Sequence, residues 1–156
     1  KMSIAKGKST AAIEFAKKAI ELEEDENQKA IYYLGLADAY RNKGSYSSAR
    51  NAVYSALELR KGWGKAYMNL GYIYIAGAKA CGDGFEKITV YWVAVDAFEN
   101  AKGDKDTKRR AETAINTYEK YFPSSNSLWM DHGITVGSKY RVGCWVNKTT
   151  TARTPK

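Results

Sequence analysis

Residues 30–74 read AIYYLGLADAYRNKGSYSSARNAVYSALELRKGWGKAYMNLGYIY. Two helical patterns are separated by Lys43-Gly44-Ser45-Tyr46, and then the first pattern starts again. Tyr33, Leu36, Ala37 and Tyr40 are answered 34 residues later by Tyr67, Leu70, Gly71 and Tyr74. Such spacing sets each quartet on one face of a helix. Recurrence at a fixed interval is an internal repeat. It points to a binding or assembly scaffold rather than to a substrate.

The helix expected over 28–42 buries the first quartet, and Gly44 can close it with a positive φ. Ser45 or Ser47 can cap the next helix, over 47–60, whose inner face is Ala49, Val53, Ala56 and Leu57 with Ala52 beside them. Alanine at the contact points lets antiparallel helices approach closely, and aromatic side chains fill the gaps. A third helix opens near Trp63. Upstream, residues 11–24 read as a helix with Ala12, Phe15, Ala16, Ala19 and Ile20 on its buried face, Leu22 at the edge, and Ser9 or Thr10 as cap. The acidic run 23–26 reads as a solvated turn, better suited to begin a helix than to end one. Gly7-Lys8-Ser9-Thr10 mimics the end of a phosphate-binding loop. The glycine that motif needs upstream is replaced by Met2, and no strand can precede it, so a capped helix start is the better reading.

Downstream, residues 76–86 read AGAKACGDGFE, with three glycines. Ala94, Phe98 and Ala101 recreate the spacing of Ala49, Val53 and Ala56, but 45 residues on instead of 34. The connection between the second pair of helices has therefore gained about 11 residues, and such insertions emerge at loop ends where they can bind something. Asp106 or Thr107 can cap a last helix reaching about Tyr121, packed on one side only through Ala111, Ala114, Ile115 and Tyr118, and Pro123 ends it. The tail changes character. After the apolar knot Leu128-Trp129-Met130, alternation over 134–146 around Gly137-Ser138-Lys139 reads as a β-hairpin, and residues from Lys148 read as a frayed end. A hairpin packed on the insertion would bring Cys144 near Cys81, which leaves a disulfide between them an open question.

The bulk numbers are permissive. The 156 residues are 44% hydrophobic with a formal charge of +8. The lysines are dispersed among alanines and glutamates, with no arginine-aromatic stripe to track a nucleic acid. No segment approaches the roughly 18 apolar residues of a membrane span, and no signal peptide is visible. Lysine before methionine suggests a fragment. The expected compartment is then either the cytoplasm or, for a chain lacking its signal peptide, a bacterial periplasm or envelope.

Catalytic constellations are weak. The single histidine, His132, sits between Asp131 and Gly133, and neither a zinc spacing nor a cysteine-histidine pair is indicated. Asp83 lacks the alternating oxygens of a calcium loop. Paired carboxylates cannot be singled out among 17 acids, and Asn147-Lys148-Thr149 matches a glycosylation pattern that often arises by chance. No catalytic, metal or cofactor residue is assigned, and no cofactor is expected.

The segment 30–101 resembles the tetratricopeptide repeat, a 34-residue helix-turn-helix unit. Tyr33, Leu36, Ala37, Tyr40, Gly44, Tyr46, Ala49, Val53 and Ala56 fall on its signature places in the first unit. Tyr67, Leu70, Gly71, Tyr74, Ala94, Phe98 and Ala101 do so in the second, while Lys61 replaces the signature proline. Helix 11–24 looks like the second helix of a preceding unit, and the tail with its Val-Gly-Cys-Trp stretch is similar to bacterial envelope-associated proteins of this type. The resemblance implies a mostly α fold: antiparallel helix pairs in a short right-handed superhelix over 1–122, followed by an extension over 123–156 with a small hairpin. It implies a non-enzymatic scaffold that binds a protein or peptide in the groove lined by the first helix of each unit. Tyr32, Asp38, Arg41, Lys65, Asn69, Tyr72 and Ile73 are the groove candidates. The alternatives are a structural or self-associating module, and an enzyme with its site near the insertion and tail.

Overall fold

The computed structural model describes residues 2–156; Lys1, the lysine before the methionine, lies outside the described residues. Asp25 shows how local chemistry sets the first corner. Its side chain accepts hydrogen bonds from the amides of Asn27 and Gln28 at 2.8 and 3.2 Å, which caps α2 (Glu26–Lys43). The acidic run therefore starts a helix, as its charge demands. Gly44 ends α2 in the left-handed region at φ 85°, its amide returning to the Arg41 and Tyr40 carbonyls. The chain reverses into α3 (Tyr46–Leu59), then into α4 (Gly64–Gly77).

Each helix packs on its successor from α1 (Met2–Leu22) through α5 (Phe85–Ala101) to α6 (Lys108–Tyr118), and α2 also touches α4. Short links between packed helices make them antiparallel neighbours. A short α7 (Ser125–His132) leads to a two-stranded antiparallel sheet of β1 (Lys139–Val142) and β2 (Lys148–Thr151), which lies on α5. The fold is mostly α with a small C-terminal hairpin, as the sequence leads one to expect.

The core follows the repeated pattern. Leu36, Ala37, Ala49, Val53 and Ala56 are buried between α2 and α3, and Leu70, Gly71, Ala94, Phe98 and Ala101 between α4 and α5, while Tyr74 is buried against Tyr54 of α3 and Trp145. One position shows compensating sizes. The first pair of helices has Ala37 and Val53, the second has Gly71 and Phe98. A Cβ at Gly71 would overlap the Phe98 ring, so the larger aromatic is matched by removal of a methyl.

Several expectations are corrected. Helix α1 begins well before residue 11, so Ser9 and Thr10 lie within it; the Thr10 hydroxyl bonds the Lys6 carbonyl at 3.0 Å. Its buried face is Ile13 and Ile20 with Ala16, whereas Phe15 is 75% exposed and Ala12 is exposed. Second, the insertion is mostly not loop. It is taken up by a 3-10 turn (Ala78–Cys81), a link of Gly82-Asp83-Gly84, and extra helix at the start of α5 over 85–90. Third, the hairpin turns at 143–147 rather than at Gly137-Ser138-Lys139. Lys139 pairs with Thr151 and Val142 with Lys148. Cys144 and Asn147 take positive φ values of 58° and 44°, which breaks the alternation that looked continuous through Val146. The end expected to fray forms β2, in which Thr150 is buried, and Ala152 just beyond it is buried as well; β-branched threonine suits a strand.

Candidate functional site

The residues expected to line a groove divide by how α4 is enclosed. Helix α4 packs on α3 and α5 and touches α2, which leaves it one open stripe. That stripe is Lys65, Asn69, Tyr72 and Ala76, at the spacing of one helix face; Asn69 is half-buried and the others are exposed. Ile73 is the correction here. It has no exposed surface and belongs to the core, because one residue past Tyr72 turns the side chain about 100° toward the packed helices. The corresponding open stripe of α2, 34 residues earlier, is Ile31, Gly35, Asp38 and Asn42. Asp38 pairs with Arg41 at 3.4 Å, an exposed contact of little energetic weight. Tyr32 is half-buried against the core.

Tyr72 is the candidate that reaches a cavity. A space of about 310 Å³ lies between it and α6, lined by Arg109, Arg110, Thr113, Ala114, Thr117 and Tyr118. None of the α6 residues is among the groove candidates read from the sequence. The available signal was the surface of α6, a helix read there as terminal and therefore without a binding face.

The cavity walls are held by aromatic contacts. Phe98 meets Tyr72 edge-on at 5.1 Å and stacks on Tyr118 at 6.0 Å, and Tyr91 and Tyr121 extend the cluster beyond Tyr118. Such pairs add to stability beyond simple burial. Burial, reinforced by Tyr72, Tyr91 and Tyr121, raises the Tyr118 phenol above its ordinary range. With Arg109 and Arg110 at the rim, the cavity offers cationic donors, hydroxyls and a tyrosine face. These suit a peptide's carbonyls and carboxylates.

Asp104 ties α4 to the loop before α6. Its carboxylate accepts from the Gly64 amide at 2.8 Å and from Asp106 at 3.0 Å, and the amides of Asp106 and Gly64 lower its pKa. It supplies from outside the N-terminal acceptor that Trp63, the cap residue of α4, lacks.

At the other end of the helices the insertion and the tail meet. Cys81 and Cys144 form a disulfide with Cα atoms 5.6 Å apart. Next to it Trp145 stacks on Tyr46 at 5.6 Å and on Tyr74 at 5.5 Å, and its indole donates to the Gly77 carbonyl at 2.9 Å. The Arg50 guanidinium donates to the Trp145 and Val146 carbonyls at 2.9 and 2.8 Å. On α5, the Asp96 carboxylate holds Arg153 at 2.8 Å and accepts from Thr150, while the Trp92 indole donates to the Arg153 carbonyl at 3.0 Å. No tail residue lines the Tyr72 cavity. His132 stacks on Phe85 at 3.6 Å, and both sulfurs lie in the bridge, so cysteine and histidine form no nucleophilic pair here.

Compared with protein-family models, curated proteins and solved structures, the chain finds no match in any of the three.

Proposed function

We propose that the chain is a non-enzymatic scaffold of the tetratricopeptide-repeat type, binding a protein or peptide segment on the face formed by α2, α4 and α6. The observation that carries this reading is the Tyr72 cavity. It opens where the first helices of successive repeat units would lie side by side, and its lining joins Tyr72 on α4 to Arg109, Thr113 and Thr117 on α6. The 34-residue recurrence of the Tyr33 and Tyr67 quartets, each packed on a following helix, supports it further. An aromatic-framed cavity with two guanidiniums suits a short segment inserting one side chain, with affinity concentrated at that anchor.

Selection from a displayed random-peptide library, followed by calorimetric titration of enriched sequences, tests the reading. Tyr72→Ala is expected to weaken the selected peptide about tenfold or more, the loss typical of a central aromatic contact. Tyr72 is 39% exposed but its ring meets Phe98, so an unchanged far-ultraviolet spectrum is required to show that the variant keeps the fold. Enriched peptides that bind the Tyr72→Ala and Arg109→Ala chains as well as the parent would refute the site.

A further inference from the structure

The disulfide between Cys81 and Cys144 is open to solvent on one side. Cys144 is exposed, whereas Cys81 is half-buried against the core. Cys144 also lines a cavity of about 480 Å³, whose other walls include Ser45, Ser47, Ser48, Ala80 and Trp145. Cys81 is not part of that lining. One half of the bridge is thus presented to an incoming thiol and the other is not. Accessible disulfides are the ones that exchange readily.

The surroundings hold both halves in place without the bond. Trp145, next to Cys144, stacks on Tyr46 and Tyr74 and donates to the Gly77 carbonyl, and Arg50 holds the Trp145 and Val146 carbonyls. Cys81 ends a 3-10 turn that packs on α4 and α5. Opening the bond therefore leaves the two thiols close together and able to close again. The cavity has the size of a small-ligand pocket, at the scale of roughly 300–1,000 Å³. Its polar side chains are the three serines; Ser45 makes no capping bond, and no charged side chain among the described residues lines the space. Hydroxyls donate to the carbonyl and carboxylate oxygens that small peptide-like thiols carry. We propose that the bridge is a reversible thiol-exchange site, at which a low-molecular-weight thiol seated in this cavity attacks Cys144 and Cys81 is the resolving cysteine. The incoming thiolate bonds to Cys144 Sγ as the bond between the two Sγ atoms breaks. The electron pair goes to Cys81 Sγ, which takes a proton from water. In reverse, the Cys81 thiolate attacks Cys144 Sγ and expels the small thiol. The two steps cancel, so no oxidant is consumed.

Reduced glutathione in excess over the whole, folded, oxidised chain is the test. After acid quenching and alkylation, peptide mass mapping should place the glutathionyl group on Cys144 over Cys81 by about tenfold or more, because attack falls on the accessible sulfur. Gel filtration at neutral pH, away from glutathione, should remove the adduct and restore the bridge. Ser47 is exposed at the cavity, so Ser47→Trp narrows the space without entering the core. It should slow glutathione about fivefold or more and leave the much smaller 2-mercaptoethanol within about twofold, since access sets the rate. An unchanged far-ultraviolet spectrum verifies that variant's fold, and the mapping on the parent stands without it. A bridge that opens only in urea overturns the proposal, as does an adduct shared equally or found mainly on Cys81. An adduct that persists after gel filtration overturns the resolving role of Cys81. Equal rates for both thiols in parent and Ser47→Trp chains overturn the seating in the cavity.

Discussion

At the scale of single residues, two glycines in neighbouring helices make opposite predictions. A Cβ at Gly77 would lie 2.5 Å from Cζ2 of Trp145 and 2.7 Å from Cγ of Tyr46, between rings already fixed by stacking and by the indole bond to the Gly77 carbonyl. Gly77→Ala should destabilise by about 1–3 kcal/mol through overpacking. Gly35, within α2, has nothing within 4 Å of that position, and Gly35→Ala should stabilise by about 0.5–1 kcal/mol. Urea unfolding of the two variants beside the parent checks both signs. Tyr74 adds a pH dependence. It is fully buried, its hydroxyl lies 3.2 Å from that of Tyr54, and burial raises its pKa well above the ordinary 10.0, with the Tyr54 bond adding to the shift. The unfolded chain therefore releases this proton first. The stabilisation is intact below about pH 10 and is lost as the pH climbs from there toward the folded-state value. Melting temperatures measured from pH 8 to 11 should fall at the alkaline end, and Tyr74→Phe should flatten that fall.

At the scale of elements, the tail is held by contacts far apart in sequence. The disulfide joins residues separated by 63 positions, and closing a loop of that size restrains the unfolded chain by about 4 kcal/mol in the chain-entropy account. Replacing both cysteines by serine should cost up to that amount in chemical unfolding. If stability stays within 0.5 kcal/mol, the bridge is not restraining the unfolded chain. The same elements show where sequence reading succeeds. The helix pairs α2–α3 and α4–α5 were legible because their packing is local and its period is written twice. Phe15 was placed inside because α1 offers two apolar faces, and spacing alone does not choose between them. The glycines of 76–86 suggested a loop, yet Phe85, Thr89 and Val90 continue α5 because Trp92 and the hairpin give that end something to pack against. The hairpin itself was legible, but not its register. Gly137 offered an obvious turn, with φ 88°, while the actual reversal is fixed by Cys144 and Trp145 docking on the helices. Such long-range contacts leave no local signature.

At the scale of the molecule, one end of the helices is closed and one face is open. One end is closed by the disulfide, Trp145 and Arg50, which fix the tail onto α3, α4 and α5. The face between α4 and α6 stays open around Tyr72. Of the expected groove residues, Lys65, Asn69 and Tyr72 share one stripe of α4, Asp38 lies on the matching stripe of α2, and Ile73 is core. The arginines that give the cavity its charge escaped notice because α6 seemed to end the packing rather than to face α4. A division of labour follows. Removing the disulfide should lower stability while leaving affinity for a selected peptide within about twofold, because the bridge and the cavity share no residue. Titration of the double-serine variant at a temperature where it remains folded checks this.

The measurement that bears most directly on peptide binding at the α4–α6 face is nuclear magnetic resonance mapping of a library-selected peptide on the isotope-labelled chain. The expected result is a set of shifted amides centred on Tyr72, Arg109, Thr113 and Thr117, with those of Gly77, Cys144 and Trp145 unmoved. Shifts centred on the disulfide and Trp145 instead, or no saturable shifts at all, would contradict it.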